Sequence, residues 1–415
     1  MKFLLIAIGT RGDVEPFLAI AEILSAKKHN VTCCFPEQFK GLAEDGNFNF
    51  RGLNPAFLKM LESKEGKIAM GGKAGIFAKI RAYLSLYKKS TEINKIICRE
   101  QKEIIESINP DKIIFHIKAG YPIIHEVLHP GSTVLVSPIP YVVHTVKEHA
   151  HIGFKNMGSF FNILTYTLAN FGLIKNTQSW CKGLYNSKTS SKAILSALKN
   201  IPTFYTISPF LFEQPTYWPS HIKVVGHHER NKTLHWKPDS TLLNFLEKNN
   251  NILFVTFGSM VNEAPEKITR LIATVITKLN VPAIINTADG GLIRVKNINN
   301  ESIHFVSNIP YDWLLPHVHS MVHHGGSGTT QMAIKYGCAS LIIPHIIDQF
   351  LWNELNNSKG LGPKGVAISK LNEHNFEKLL TDLIQTPSYK QEARLASKKL
   401  IEENLNDTLY STLIS

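Results

Sequence analysis

One order of elements, occurring twice in this chain, constrains its fold more than any other feature. Lys2 to Ile8 is a continuous apolar run, followed by a turn at Gly9 to Gly12, a helical pattern from Phe17 to Ala26 and a second apolar run from Val31 to Phe35. The order returns as an apolar run from Asn251 to Phe257, a Gly258-Ser259 turn, a helical pattern from Pro265 to Leu279 and a strand-like run from Val281 to Ile285. Apolar runs of strand length joined through a helix read as parallel strands covered on both faces. Each half of the chain therefore opens like a parallel α/β domain. The 415 residues exceed one ordinary core and fit two domains.

Three prolines and several aromatic residues in Ser208 to Ser220 argue against a continuing helix or a central strand, so the boundary is placed there. This gives residues 1–215 as the first domain and 216–390 as the second, opened by a strand at Ile222 to Val225. A last segment, 391–415, carries a helix from Glu392 to Asn406.

The formal net charge of +12 suits an anionic small molecule, an anionic membrane surface or nucleic acid. No cluster of Lys and Arg is interleaved with aromatic residues, which argues against nucleic acid. Five scattered cysteines without a Cys-x-x-Cys pair read as reduced thiols. The first apolar run is too short for a signal-peptide core, which makes a cytoplasmic location the expectation. Asn156 to Ile174 is uncharged, and Phe161, Leu164, Leu168 and Phe171 recur at helical spacing. Its plainest reading is a core or cavity-lining helix; the sharper one is a surface helix that dips into a membrane.

The run Met321-Val-His-His-Gly-Gly-Ser-Gly-Thr-Thr330 falls where an apolar strand gives way to a helix. Such a turn directs backbone N–H groups and a positive helix end at an anion. Gly325, Gly326 and Gly328 let the backbone approach phosphate oxygens, while Ser327, Thr329 and Thr330 add hydroxyls and His324 a ring donor. Asp348-Gln349 follows the next strand, with a carboxylate and an amide suited to sugar hydroxyls. Together the two segments describe a nucleotide-sugar site.

On Gly9-Thr-Arg-Gly-Asp-Val-Glu-Pro-Phe17, Pro110-Asp-Lys-Ile-Ile-Phe-His-Ile-Lys118 and Asn308 through Trp352, the chain resembles glycosyltransferases of the GT-B fold. The branch is that of the sterol glucosyltransferases and the enzymes that glycosylate glycopeptide aglycones. The resemblance implies two Rossmann-like domains facing each other across a cleft, with the last helix returning to the first domain. It also implies transfer of a hexose, glucose in the sterol enzymes, from a UDP-sugar such as UDP-glucose, or from a dTDP-sugar. The acceptor would be a hydroxyl on a lipophilic molecule, with inversion and no metal. Gly12, Thr256, Gly258, Ser259, Ile309, His324, Gly325, Gly326, Ser327, Gly328, Thr329, Asp348 and Gln349 would bind the donor. Asp13 would act as base with His116 beside it, and His144 and Phe161 would meet the acceptor.

Each reading has a structural rival. Asp13 is equally an N-cap ahead of a helix, His116 a satisfied strand-end histidine, and Asp348 a helix cap. Relatives from plants carry Trp and Glu where this chain has Asn308 and Met332, leaving base and ribose contacts open. His144, His149 and His151 with Glu148 do not fall on one helix face as metal ligands would, and no Asp-x-Asp occurs. A nucleotide-sugar epimerase of the same fold and a non-catalytic nucleotide-sugar-binding protein are the alternatives, and a monomer or weak dimer is expected.

Overall fold

The computed structural model describes all residues except 64, 67–75, 186–188, 234–235, 259, 261, 263, 289, 296–300, 403–405 and 415. The chain forms two compact units, divided between Arg230 and Asn231. Each is built on a parallel sheet.

The first unit holds β1 (Lys2–Ile6), β2 (Asn30–Pro36), β3 (Asn49–Leu53), β4 (Lys112–His116), β5 (Thr133–Ser137), β6 (Thr203–Tyr205) and β7 (Ile222–Val224). Their order across the sheet is β3-β2-β1-β4-β5-β6-β7. Alternate side chains of β1 go to opposite faces. Phe3 and Leu5 pack with Phe17, Leu18 and Leu24 of helix α1 (Arg11–Ala26), whereas Leu4 and Ile6 face a second cluster. That cluster takes Ile97 and Ile105 from α2 (Ile76–Ile108), Ile123 from α3 (Tyr121–Leu128) and Ile174 from α4 (Ser159–Trp180). Burial on both faces explains why these strands read as unbroken apolar runs.

The second unit has β8 (Leu253–Thr256), β9 (Ala283–Asn286), β10 (Ile303–Val306), β11 (Ser320–His323) and β12 (Ala339–Ile342), in the order β10-β9-β8-β11-β12. Its helices include α5 (Pro265–Lys278), α6 (Ser327–Lys335), α7 (Ile347–Ser358) and α8 (Pro387–Glu402). In both sheets the order reverses beside the first strand, between β1 and β4 and between β8 and β11. Crevices at the carboxyl ends of strands open at such reversals and receive ligands.

Two expectations from the sequence about the domain division are corrected. The strand near Ile222 does not open the second unit; it is β7, paired in parallel with β6 through Thr203 and Ile222. The expected helix from Glu392 to Asn406 is two helices. Lys390 of α8 donates to the carbonyls of His319 and Gly337 at 2.7 Å, which ties α8 to the second unit. The separate α9 (Asn406–Ile414) belongs to the first unit, where Leu409 and Leu413 are fully buried against the α1 cluster. His29 and Tyr410, 3.0 Å apart, and His228 and Asn406, 2.6 Å apart, fix it there.

Helix α4 also reverses its plainest reading. The large apolar side chains of its stripe lie outside, with Phe160 76% and Phe171 61% exposed, while Asn162 and Thr165 are buried. No helix among the described residues is long and apolar enough to cross a membrane.

Removing a fully buried leucine leaves a cavity that typically costs about 2–5 kcal/mol. Leu409→Ala should therefore lower the unfolding free energy of the first unit by about that amount in urea titration followed by circular dichroism. An unchanged midpoint would mean that α9 is not integral to this core.

Candidate functional site

In the first unit, the reversal between β1 and β4 gathers three titratable side chains. The chain leaves β1 through Gly9 and Thr10, and Thr10 adopts the extended conformation of an N-cap for α1. Asp13 sits at the third helical position, and its Oδ2 accepts from the Thr10 N–H at 2.7 Å and from the Thr10 hydroxyl at 3.2 Å. Gly9 has φ of +134°, and a Cβ there would lie 2.0 Å from Asp13 Oδ2, so only glycine admits the carboxylate. Asp13 is thus a capping residue.

Its second oxygen is used differently. Lys118 Nζ, from the turn after β4, donates to Asp13 Oδ1 at 2.8 Å, and His116 Nε2 lies 3.6 Å from the same atom. Burial alone would raise the Asp13 pKa; the Lys118 charge, His116 and the Thr10 hydrogen bonds outweigh it and hold the carboxyl below its ordinary value. Burial pushes the His116 ring down to about 4, with Asp13 opposing and Lys118 assisting. The Lys118 N–H donates to His116 Nδ1 at 3.4 Å, leaving the ring proton on Nε2, directed at Asp13. His116 is neutral near pH 7 and lacks a free lone pair on that side. The trio presents one ionised carboxylate, one ammonium and one neutral imidazole. Gly12, on the exposed side of the first turn, leaves the approach open.

In the second unit, the reversal between β8 and β11 brings Gly258 and the segment His323 to Gly328 together. Thr256 is fully buried, its hydroxyl within 2.9 Å of the Tyr311 hydroxyl and accepting from Asn286 at 3.3 Å. It braces the turn. Gly325 N–H donates to His323 Nδ1 at 3.1 Å. A Cβ at Gly326 would lie 2.5 Å from His324 Nε2, so glycine there makes room for the ring. Helix α6 starts at Ser327 with Gly326 as N-cap and no side-chain cap, so its end is shaped for an anion from outside. Thr329 is half-buried on that turn. The Thr330 hydroxyl is instead spent on the Gly326 carbonyl at 2.9 Å, which removes it from the expected set of donors.

Gln349 and Asp348 divide the roles read for them. Gln349 is buried, and its Oε1 accepts from the N–H groups of His345 at 2.7 Å and Ile346 at 3.2 Å, closing the start of α7. Asp348, one residue earlier in the first turn, is half-buried. The cap expected of Asp348 is thus made by Gln349. Ile309 packs its side chain into the core with Phe254 and Ile284, so only its backbone can serve a ligand. Ser259 lies outside the described residues.

Two residues given no role from sequence stand at these sites. Lys118 lies 105 positions from its partner, and no local pattern announces the pair. His345 packs edge-on against Phe257 at 4.8 Å and lies near His324. Burial, with His323 and His345 adding to it, holds His324 far below its ordinary value. His144 sits within an aromatic cluster, its Nδ1 3.1 Å from the Tyr205 hydroxyl and its ring against Trp218. His149 stacks on Tyr141, and His151 lies edge-on to Tyr166, so each is packed singly. Phe161 is exposed on α4.

Two parallel Rossmann-like sheets, with a helix N-terminus at the reversal of the second, define the GT-B class. Residues 3–129 match the glycosyltransferase family 28 N-terminal domain, and residues 271–409 match the C-terminal domain of erythromycin biosynthesis protein CIII-like proteins. The chain has the GT-B fold and carries a domain of each of these two families. It is 26% identical over 97% of its length to a sterol 3-beta-glucosyltransferase of Arabidopsis thaliana, and spans 64% of that relative. The calicheamicin glycosyltransferase CalG4 has the same fold at 16% identity, with a TM-score of 0.70 over 99% of this chain and 98% of that one. Spinosyn rhamnosyltransferase SpnG complexed with thymidine diphosphate matches at 14% identity, with a TM-score of 0.64 over the whole of both chains.

The buried rings set an acid limit. His116 and His345 are pushed to about 4 and His323 to about 3, from an ordinary 6.5. Depressed folded-state values confer stability that is complete above pH 6.5 and is lost as pH falls towards 4, on the order of 3 kcal/mol per ring. Asp13, also depressed, adds a loss in the same direction at lower pH. Melting temperature should therefore fall steeply between pH 6.5 and 4; a flat profile in scanning calorimetry would contradict neutral burial.

Proposed function

We propose that this protein is an inverting, metal-independent glycosyltransferase that moves a hexose from a nucleoside diphosphate sugar to a hydroxyl of a lipophilic acceptor. The observation that carries the reading is the α6 N-terminus, reached through Gly325 and Gly326 and free of a side-chain cap. It binds the diphosphate and meets the charge that grows on the departing oxygen. His324 donates to the same group, Thr329 adds its hydroxyl, and Asp348 accepts from hexose hydroxyls. Gly258 and the Ile309 backbone flank the nucleoside. The plant relative's name supports a glucose donor and a sterol-like acceptor, and the thymidine diphosphate bound in SpnG supports a pyrimidine nucleotide. UDP-glucose is the first donor to test, then dTDP-sugars.

Asp13 takes the acceptor proton. The acceptor oxygen forms its bond to the anomeric carbon as the bond to the diphosphate breaks, the leaving oxygen keeps that electron pair, and the proton passes to the carboxylate. Lys118 and His116 keep Asp13 ionised, which makes it a weak base. It accepts the proton only once the hydroxyl has been acidified by bond formation. His144 and its aromatic neighbours offer apolar surface to the acceptor, whereas Phe161 lies on the exposed face of α4 and is not among them.

A screen of donors against acceptors, read by mass spectrometry, tests the class. A hexose added to the acceptor is expected; donor isomerised without any acceptor would overturn transfer. Asp13→Asn keeps size and capping ability and should lower turnover by about 10²–10⁴ with donor affinity little changed. Product from an α-linked donor should be β-linked by NMR, in chelator as without it, and an α-linked product would exclude a single displacement.

Lys118→Met separates ionisation from positioning. Without the ammonium the Asp13 pKa rises, so the acid limb of the kcat/KM profile should move to higher pH. An unmoved limb would show that Lys118 does not set the charge state of Asp13.

A further inference from the structure

We infer that α4 is a docking face for an anionic lipid surface. On a helical wheel Phe160, Phe161, Leu164, Leu168 and Phe171 fall within an arc of about 100°. All five are exposed, and Met157, just before the helix, joins them at its start. Contiguous exposed apolar side chains of this size mark an interaction surface.

The orientation is built in. Asn162 lies on the opposite side, is 1% exposed and donates from Nδ2 to the Lys147 carbonyl at 3.0 Å and to Asn156 Oδ1 at 2.8 Å. Its Oδ1 accepts from the Met157 N–H at 3.2 Å. Thr165 Oγ1 accepts from the His151 N–H at 2.9 Å, and Tyr166 is buried against the His151 ring. Turning the stripe inward would break these bonds and bury the polar groups without partners. The helix is held by its polar side and presents its apolar side.

Charge selects the occupant. Helix α4 contains no Asp or Glu, and Lys155 and Lys175 stand before and near the end of the stripe. Lys175 lies over the Phe171 ring at 5.5 Å, its charge beside an apolar group as at a membrane interface. A second copy of the chain would bring the same lysines and another +12 together, whereas anionic headgroups neutralise them. Phenylalanines inserted at headgroup depth with lysines among the phosphates is the arrangement of a surface-bound helix. This inference does not depend on the proposed transfer reaction.

The test is co-sedimentation of the full chain with vesicles of phosphatidylcholine alone or with roughly a third phosphatidylserine. Wild type should sediment with the anionic vesicles and weakly with the neutral ones. Leu164→Ser, Leu168→Ser and Phe171→Ser combined should lower binding by about a hundredfold, with the circular dichroism spectrum and melting temperature retained. Lys155→Glu with Lys175→Glu should lower binding to the anionic vesicles and leave the neutral signal unchanged. Wild type remaining in the supernatant with both vesicles would overturn the inference. So would a triple variant that sediments like wild type, or a wild-type dimer in sedimentation velocity that the triple variant converts to monomer.

Discussion

Parallel pairing imposes the arrangement on which both sites depend. A strand can pair in parallel with its predecessor only after the chain has crossed back over a face of the sheet, so every strand of a unit ends at the same rim. Where the strand order reverses, the crossovers part to opposite faces and the rim is left open. Asp13 and Lys118 occupy that opening in the first unit, and His324 with the start of α6 occupies it in the second. The chemistry differs because the turns differ. A capping carboxylate beside a lysine is the proton acceptor proposed for the first unit, and a glycine turn ahead of a helix without a side-chain cap is the anion cradle proposed for the second.

Local signals in the sequence were enough for the parts that are locally determined. The strands from 253 to 256 and 320 to 323, the glycine turns after them and the helix starting at Ser327 all follow from apolar runs punctuated by glycine. Asp13 was legible as a cap for the same reason, and the structure makes it a cap without withdrawing it from the rim. What stayed hidden was settled over distance. The Asp13 and Lys118 pairing joins two strands that meet only in the folded sheet. Strand β7 is short and follows prolines, and its neighbour β6 fixes its membership rather than its own residues. Gln349 displaced Asp348 as the cap of α7 because its longer side chain reaches back to His345 and Ile346.

Periodicity carries a further lesson on α4. A stripe of Phe and Leu at helical spacing states that one side is apolar, and ordinarily that side is inward. The deciding information lay in Asn162, Thr165 and Tyr166, whose partners sit in the loop from 147 to 157. Four hydrogen bonds of Asn162 and Thr165 thus set the rotation of a helix whose composition alone favours the reverse.

The placement of α9 bears on biosynthesis. The core around Phe17 and Leu18 is closed by Leu409 and Leu413, the last large side chains to be added to it. At a synthesis rate of about 5–20 residues per second, the first unit waits on the order of 10–40 s after Arg230 is made before its final helix is complete. Throughout that interval the nascent chain displays an uncovered apolar groove along α1 and is a client for chaperones, and the second unit, whose last helix ends at Glu402, is fully synthesised before the first unit receives α9. The order of completion is therefore inverted with respect to the order of synthesis.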